Sequence, residues 1–415
     1  MDSQRPVHEC RGVMPSSHRL VAVALLSFGG CRADPGPDPR QRLAASEAPE
    51  AEVEARFFER GGPGRLRYRG PTVSPSPLRA GAPLELAHVW EVEVAFASDP
   101  RVFVHFESDA QGRLAVDDHH PVGGAHRFSR MAPGEIWRDA HAMRVPSNAT
   151  SGTLRVFVGL FEGDTRMTLE TVPGRNDGQN RLLAAEIPLE GRPAPELPVA
   201  TVARAQGPID PDGRLDEPDW ASAEILELTD TLGRPRPTEF PTRLRLLYDD
   251  RFLYVGFEAE DEDVSERFEK RDDPIYEHET VELFLMPSVT APELGPYVEL
   301  QASPGGVLFD ASFTGPRQGM DRSFDAGQTV GTRIDGSLND PAPDRGWVSE
   351  WKVPFSGLVD EAPQSGDEWR MNAFRIEKHR RGDRLRGEYT AWSPPLVGDF
   401  HAVKRFGRLR FGGER

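Results

Sequence analysis

Two cysteines, Cys10 and Cys31, are all the thiol that this 415-residue chain has. If Cys10 is removed and Cys31 is lipidated, neither a disulfide nor a thiol nucleophile remains. Lysine is scarce too: Lys270, Lys352, Lys378 and Lys404 are the only four, and the other basic residues are Arg. Acids outnumber bases 67 to 50, for a net charge of −17. Phosphate backbones select clustered Lys and Arg, so a general nucleic-acid binder is excluded. Long apolar runs are missing: the longest, at 20–28, has about nine residues, against about 20 for a bilayer-spanning helix. That excludes a polytopic helical membrane protein. Also absent are G-x-S-x-G, H-E-x-x-H, a P-loop, and any G-x-G-x-x-G between a strand and a helix. The expectation is therefore a protein that is not an enzyme.

What is present begins with an export signal. In MPSSHRLVAVALLSFGGC (14–31), Arg19 is the positive flank, 20–28 the apolar stretch, and Gly29 and Gly30 the small residues before a cut. Cys31 directly after them resembles the lipobox of bacterial lipoproteins, which implies lipidation at Cys31. The expected location is the bacterial envelope, at the outer membrane, with the lipid as membrane anchor. Residues 32–56 are polar and rich in Pro, Ala and Glu, and read as a flexible tether.

Beyond the tether, 415 residues at roughly 100–200 per domain predict two or three domains. Residues 57–192 carry short alternating runs. In LELAHVWEVEVAF, Leu84, Leu86, Trp90, Val92, Val94 and Phe96 share a face; in TLRVFVGLFEG, Leu154, Val156, Val158 and Leu160 do. Pro and Gly punctuate the runs and no long helical period occurs, which predicts an antiparallel, Ig-like β-sandwich. Asp117-Asp118-His119-His120, with His105, His126 and His141, offers metal-ligand chemistry. Adjacent strand residues point to opposite faces, however, so a polar turn before Pro121 is the expected reading. Asn148-Ala149-Thr150 fits a glycosylation sequon and is read as a loop. GRPAPELPVA (191–200) supplies a Pro-rich linker over 193–200.

Residues 201–412 alternate again, in TRLRLLY (242–248), FLYVGFEAE (252–260), TVELFLMP (280–287), YVELQAS (297–303), WVSEWKVPF (347–355) and RMNAFRIEK (370–378). The turn 248–251 joins the first two, and the spacing predicts a second all-β sandwich or jelly roll. IDPDGRLDEPDW (209–220), RDDPIYEHETVELFLMP (271–287), YVELQASPGGVLFDASF (297–313), GWVSEWKVPFSGL (346–358), EYTAWSPP (388–395) and FHAVKRFGRLRF (400–411) occur in that order. Together they resemble family 9 carbohydrate-binding modules. The resemblance implies a poly- or oligosaccharide ligand held between two aromatic rings, Tyr276 and Trp392. Glu282, Glu299, Gln301 and Arg375 are candidate polar partners at the sugar rim. Trp220, Trp347, Trp351 and Trp369 fall in hydrophobic segments and are expected in the core.

No cofactor is expected, apart from a structural calcium ion for which Asp261, Asp263, Asp272 and Asp273 are the candidate ligands. They do not match the spaced EF-hand pattern. Haem has no evident axial pair. Two other readings stay open: an envelope scaffold using the same fold with both rings buried, and a glycoside hydrolase with paired acids across a cleft.

Overall fold

Alternation of apolar and polar residues dominates the chain, and the fold follows it. In this computed structural model, residues 42–43, 54–287, 295–381 and 384–413 are described. The lipobox-like segment with Cys31, and most of the tether, lie outside them. Among the described residues there is no α-helix, only strands and short 3-10 turns, so the all-β class expected from the sequence is the class observed.

Two six-stranded sheets form the first sandwich. One has Ile136–Arg144, Pro83–Val94 and Arg65–Ser74 as central strands; the other has Leu182–Glu190, Gly152–Glu162, Arg101–Ser108 and, beyond it, Gly112–His119. Leu84, Leu86, Trp90, Val92, Leu154, Val156, Val158 and Leu160 are all buried between the sheets. Trp90 is the centre, edge-on to Tyr68 at 4.9 Å and to Phe57 at 5.7 Å. The run 117–120 is not the turn that was expected. Asp117 and His119 belong to the Gly112–His119 strand, and their side chains are half-buried while Val116 and Asp118 point outward.

The second sandwich is a single curled 13-stranded arrangement. Its hinge is Val199–Arg204, which pairs in parallel with Gly407–Phe411 through Val202 and then with Thr242–Tyr248 from Ala203. One layer then runs through Phe252–Glu260, Gly346–Pro354 and Thr329–Asp335. The other runs through Glu368–Arg381, Thr280–Met286, Tyr297–Ala302 and Leu308–Phe313. Leu244, Val255, Phe257 and Trp351 from the first layer and Val281, Leu283, Leu300 and Met371 from the second share one core. Asp249 closes the 248–251 turn by accepting the N–H groups of Arg251 and Phe252. Trp220, Trp347, Trp351 and Trp369 are buried, as their segments implied.

Residues of the two sandwiches also touch away from the linker. Gln111, fully buried, donates from Nε2 to the Leu396 carbonyl at 3.2 Å, and Asn148 donates to the same oxygen. Asn148 and Thr150 of the sequon are thus part of a contact: Thr150 donates its backbone N–H to Gln111 at 2.7 Å. Leu396 is held at φ 64° and buried, its N–H bonded to the Thr231 carbonyl.

Candidate functional site

Strand parity decides which side chains of the Thr280–Met286 layer reach the outside. Val281, Leu283 and Leu285 point into the shared core, so Glu282 and Phe284 point the other way. The register continues that face: Glu282 lies opposite Gln301 on one neighbour and Phe374 on the other, and Phe284 lies opposite Glu299. Over this face a cleft of about 660 Å³ opens, within the usual size range of small-ligand sites.

Its walls are aromatic. Tyr276 sits on a single 3-10 turn, 37% exposed, with its ring edge-on to Phe309 at 5.4 Å. Tyr389 is 41% exposed. Its hydroxyl takes a 2.6 Å hydrogen bond from Lys378 Nζ, and its ring packs edge-on to Phe400. Phe400 is itself braced by parallel stacking on Phe374 at 4.1 Å. Phe313, stacked on Tyr297 at 4.7 Å, also lines the cleft.

Its rim is cationic and pre-set. Arg234 and Arg236 both bond the buried carboxylate of Asp230, at 2.6 and 2.9 Å. Burial alone would raise the pKa of Asp230, but these hydrogen bonds outweigh it and hold it down at about 2. Arg317 is fixed by Asp399 at 2.8 Å. The Arg317 backbone N–H donates to the Tyr297 hydroxyl at 3.3 Å, and that hydroxyl lies 2.6 Å from His401 Nδ1. Burial, helped by the Arg317 charge, lowers His401 to about 4, so it is neutral at pH 7.

The floor holds two carboxyl groups. Glu282 is 1% exposed and its Oε1 has no hydrogen-bond partner. Burial, then the neighbouring Glu299, pushes its pKa far up. Burial also raises Glu299, to about 7, against the amide of Gln301, which donates to it. Both groups therefore keep their protons in the fold to a higher pH than in the unfolded chain. The folded state loses stability as pH rises from about 4.5, and for Glu299 that loss is complete above about 7. Glu282→Gln removes one ionising group and its repulsion of the other. We expect it to melt like the parent at pH 4 and roughly 5 °C higher at pH 8, for a gain of about 2 kcal/mol. Equal differences at both pH values in scanning calorimetry would refute the assignment.

Of the six candidate sugar contacts, Tyr276, Glu282 and Glu299 line this cleft, and Gln301 lies behind Glu299 as its hydrogen-bond donor. Trp392 and Arg375 do not line it. Tyr389 shares its face with Ile376, and Ala391 with Phe374, so the next residue along, Trp392, turns inward. It is 8% exposed in the core, its ring so close over Gly407 that a Cβ there would lie 2.5 Å away. Arg375 is out of phase with Phe374 and Ile376 for the same reason. It is buried over Trp347 and ion-paired with Asp261. Asp261, expected as a calcium ligand, is thus the counter-ion of a guanidinium. Asp273 closes a turn by accepting the N–H groups of Glu269 and Lys270, and the backbone N–H of Asp263 bonds Asp261. Asp272, at φ 66°, donates its N–H to the Leu308 carbonyl. Sequence reasoning missed Tyr389 and Phe400, although parity counted back from Ala391 marks Tyr389.

No family model and no curated protein matches the chain. Similar solved structures include a family 9 carbohydrate-binding module from Caldicellulosiruptor kristjanssonii in complexes with cellotriose and with glucose. Each has 16% identity and a TM-score of 0.35, and the match covers 52% of this chain and 95% or 97% of that one. A protein from Bacteroides uniformis ATCC 8492 matches at 16% identity and a TM-score of 0.39, covering 52% of this chain and 100% of its own.

Proposed function

We propose that the cleft of the second sandwich binds a carbohydrate, and that the chain does so as a lipid-anchored envelope protein without catalysing a reaction on it. One observation carries this reading: two exposed tyrosines stand on the walls of a cleft whose floor is a pair of buried carboxyl groups. Sugar rings present flat C–H faces, which aromatic rings cover, and a rim of hydroxyls that both donate and accept. Glu282 Oε1, buried and unpaired, needs a donor; a protonated carboxyl also offers one. Arg236 and Arg317 add donors at the rim, which His401 also lines. The sequence motif at Cys31 supports display at a membrane surface.

Calorimetric titration of the full chain with soluble mono- and oligosaccharides tests the reading. Tyr389→Ala should weaken the sugar that binds by roughly 30-fold, the equivalent of about 2 kcal/mol for a stacked hot-spot ring. Its melting temperature should be nearly unchanged. If no sugar in the panel binds the parent, or if Tyr389→Ala binds like it, the proposal fails.

The carboxyl pair also carries a second reading. A protonated Glu282 beside a Glu299 that titrates near 7 is an acid and a base on adjacent strands, which is what glycoside hydrolysis uses. Release of reducing ends from a bound oligosaccharide, abolished in Glu282→Gln, would favour it; binding without release favours the first.

A further inference from the structure

The first sandwich holds a second constellation, unrelated to the cleft. Asp117 and His119 are two residues apart on Gly112–His119, the outer strand of its sheet, so both side chains take the same, inward face. Ile136–Arg144 of the opposite sheet brings His141 against them. Their rings and carboxylate meet where the two sheets face each other: His119 and His141 have centroids 5.0 Å apart, and Asp117 Oδ2 bonds His141 Nδ1. One ligand atom from each of the three lies within 4.8 Å of the other two. His105 and His126, which the sequence grouped with them, lie elsewhere. His105 contacts Arg181 at 3.2 Å, and His126 packs at a tilt against Trp137, centroids 4.2 Å apart.

We propose that Asp117, His119 and His141 form a binding site for one divalent transition-metal ion of the zinc type.

Three observations carry this. First, the donor set is right: two imidazoles and a carboxylate suit Zn²⁺ and similar borderline cations, and leave a coordination position for water or a ligand. Second, the spacing is right. Metal–ligand bonds of about 2.0–2.1 Å at tetrahedral angles set ligand atoms roughly 3.3 Å apart. His119 Nδ1 stands 3.6 Å from Asp117 Oδ2, while the hydrogen-bonded Asp117–His141 pair has to open slightly. Third, the outer contacts are built. His119 Nε2 lies 3.0 Å from Asp139 Oδ2, and Asp139, 1% exposed, is itself pinned by the Val122 N–H at 2.8 Å. A carboxylate that takes the Nε2 proton fixes the imidazole with its Nδ1 lone pair facing outward from that bond, the usual support of a metal-bound histidine. His119 Nδ1 has no hydrogen-bond partner in the fold.

The competitor is a proton. Burial opposes charge on His119, but the carboxylates of Asp139, hydrogen-bonded at Nε2, and of Asp117, 3.6 Å from Nδ1, hold its pKa up at about 10. A metal ion has to displace that proton, and a plain His–carboxylate network would simply keep it.

The test uses the full chain, stripped with a chelator and returned to chelator-free buffer at pH 7.5. Equilibrium dialysis against micromolar Zn²⁺ should load one ion per chain. Co²⁺ in its place should give the visible absorption of a four- or five-coordinate ion. The double variant His119→Ala/His141→Ala should lose at least 100-fold in affinity. Asp139→Asn, which leaves all three ligands in place, should lose roughly 10–100-fold, and the outward-facing Asp118→Asn should bind like the parent. Should the double variant fail to fold by circular dichroism, Asp117→Asn, nearly isosteric, replaces it with the same expectation. Absence of stoichiometric uptake by the parent overturns the proposal. So does uptake that survives loss of the ligands, since it would place the ion at other histidines or at the cysteines.

Discussion

Arg375→Ala is expected to destabilise the second sandwich by roughly 3–5 kcal/mol, with a fall in melting temperature on the order of 10 °C. Arg375 is 1% exposed and interacts with three acids: Asp261, to which it is ion-paired, Glu279 and Glu377. Burial, then the charge of Asp261, raises Glu279 to about 10, so it is held protonated and bonds Ser265. Removing the guanidinium strands Asp261 as a buried, uncompensated carboxylate, and Glu279 has the wrong sign to help. Removing Asp261 is different. Its repulsion of Glu279 disappears with it, and Glu279 can ionise and take over as counter-ion. Asp261→Ala should therefore be clearly milder than Arg375→Ala. Calorimetric melts of the two variants at pH 7 check the order; equal losses, or an Arg375→Ala protein within about 1 kcal/mol of the parent, would contradict it.

Trp392→Ala should destabilise by about 3–5 kcal/mol, the range for deleting a buried aromatic ring. The ring packs over Gly407, the first residue of the Gly407–Phe411 strand, as part of the core of the second sandwich. Gly407→Ala should also destabilise, from the opposite cause: its Cβ would lie 2.5 Å from the indole and 2.8 Å from the Pro198 carbonyl, so something must shift. Set beside Tyr389→Ala, the pair of variants separates two roles. The tyrosine change should lower affinity and leave the denaturant midpoint in place, whereas the tryptophan change should lower the midpoint. A folded Trp392→Ala protein with an unshifted midpoint and weakened sugar binding would reverse this assignment and restore the tryptophan to the cleft.

That reversal marks where sequence reading stops. Alternation within one strand is a local property, and it correctly put Leu84, Trp90 and Val156 in one core, Trp347 and Trp351 in the other, and Glu282 on the face away from Val281. Trp392 and Arg375 fail by one residue of phase. The family resemblance pointed to Trp392, whereas parity favours Tyr389, three residues earlier. The ion pair of Arg375 spans 114 residues of sequence, and the Asp117–His141 contact joins strands of different sheets. Neither has any trace in local pattern, because each depends on how separate strands are brought face to face. The D-x-H spacing at 117–119 puts two ligand-type side chains on one strand face, but nothing local to it brings His141 alongside.

The Leu396 carbonyl raises a question of inheritance. Gln111 and Asn148 belong to the first sandwich, yet both bond an oxygen two residues before Gly398, where the cleft wall begins. The N–H of Leu396 ties the same turn to Thr231, another wall residue. A module lifted out at the Pro-rich linker keeps every strand of its sheet and loses two amide donors from the loop that frames its ligand. The wall then has to be ordered by the ligand itself, at the expense of affinity. Recombination between proteins, natural or engineered, would on this account move the two sandwiches together, with the first transmitted as the silent half of a site it never touches.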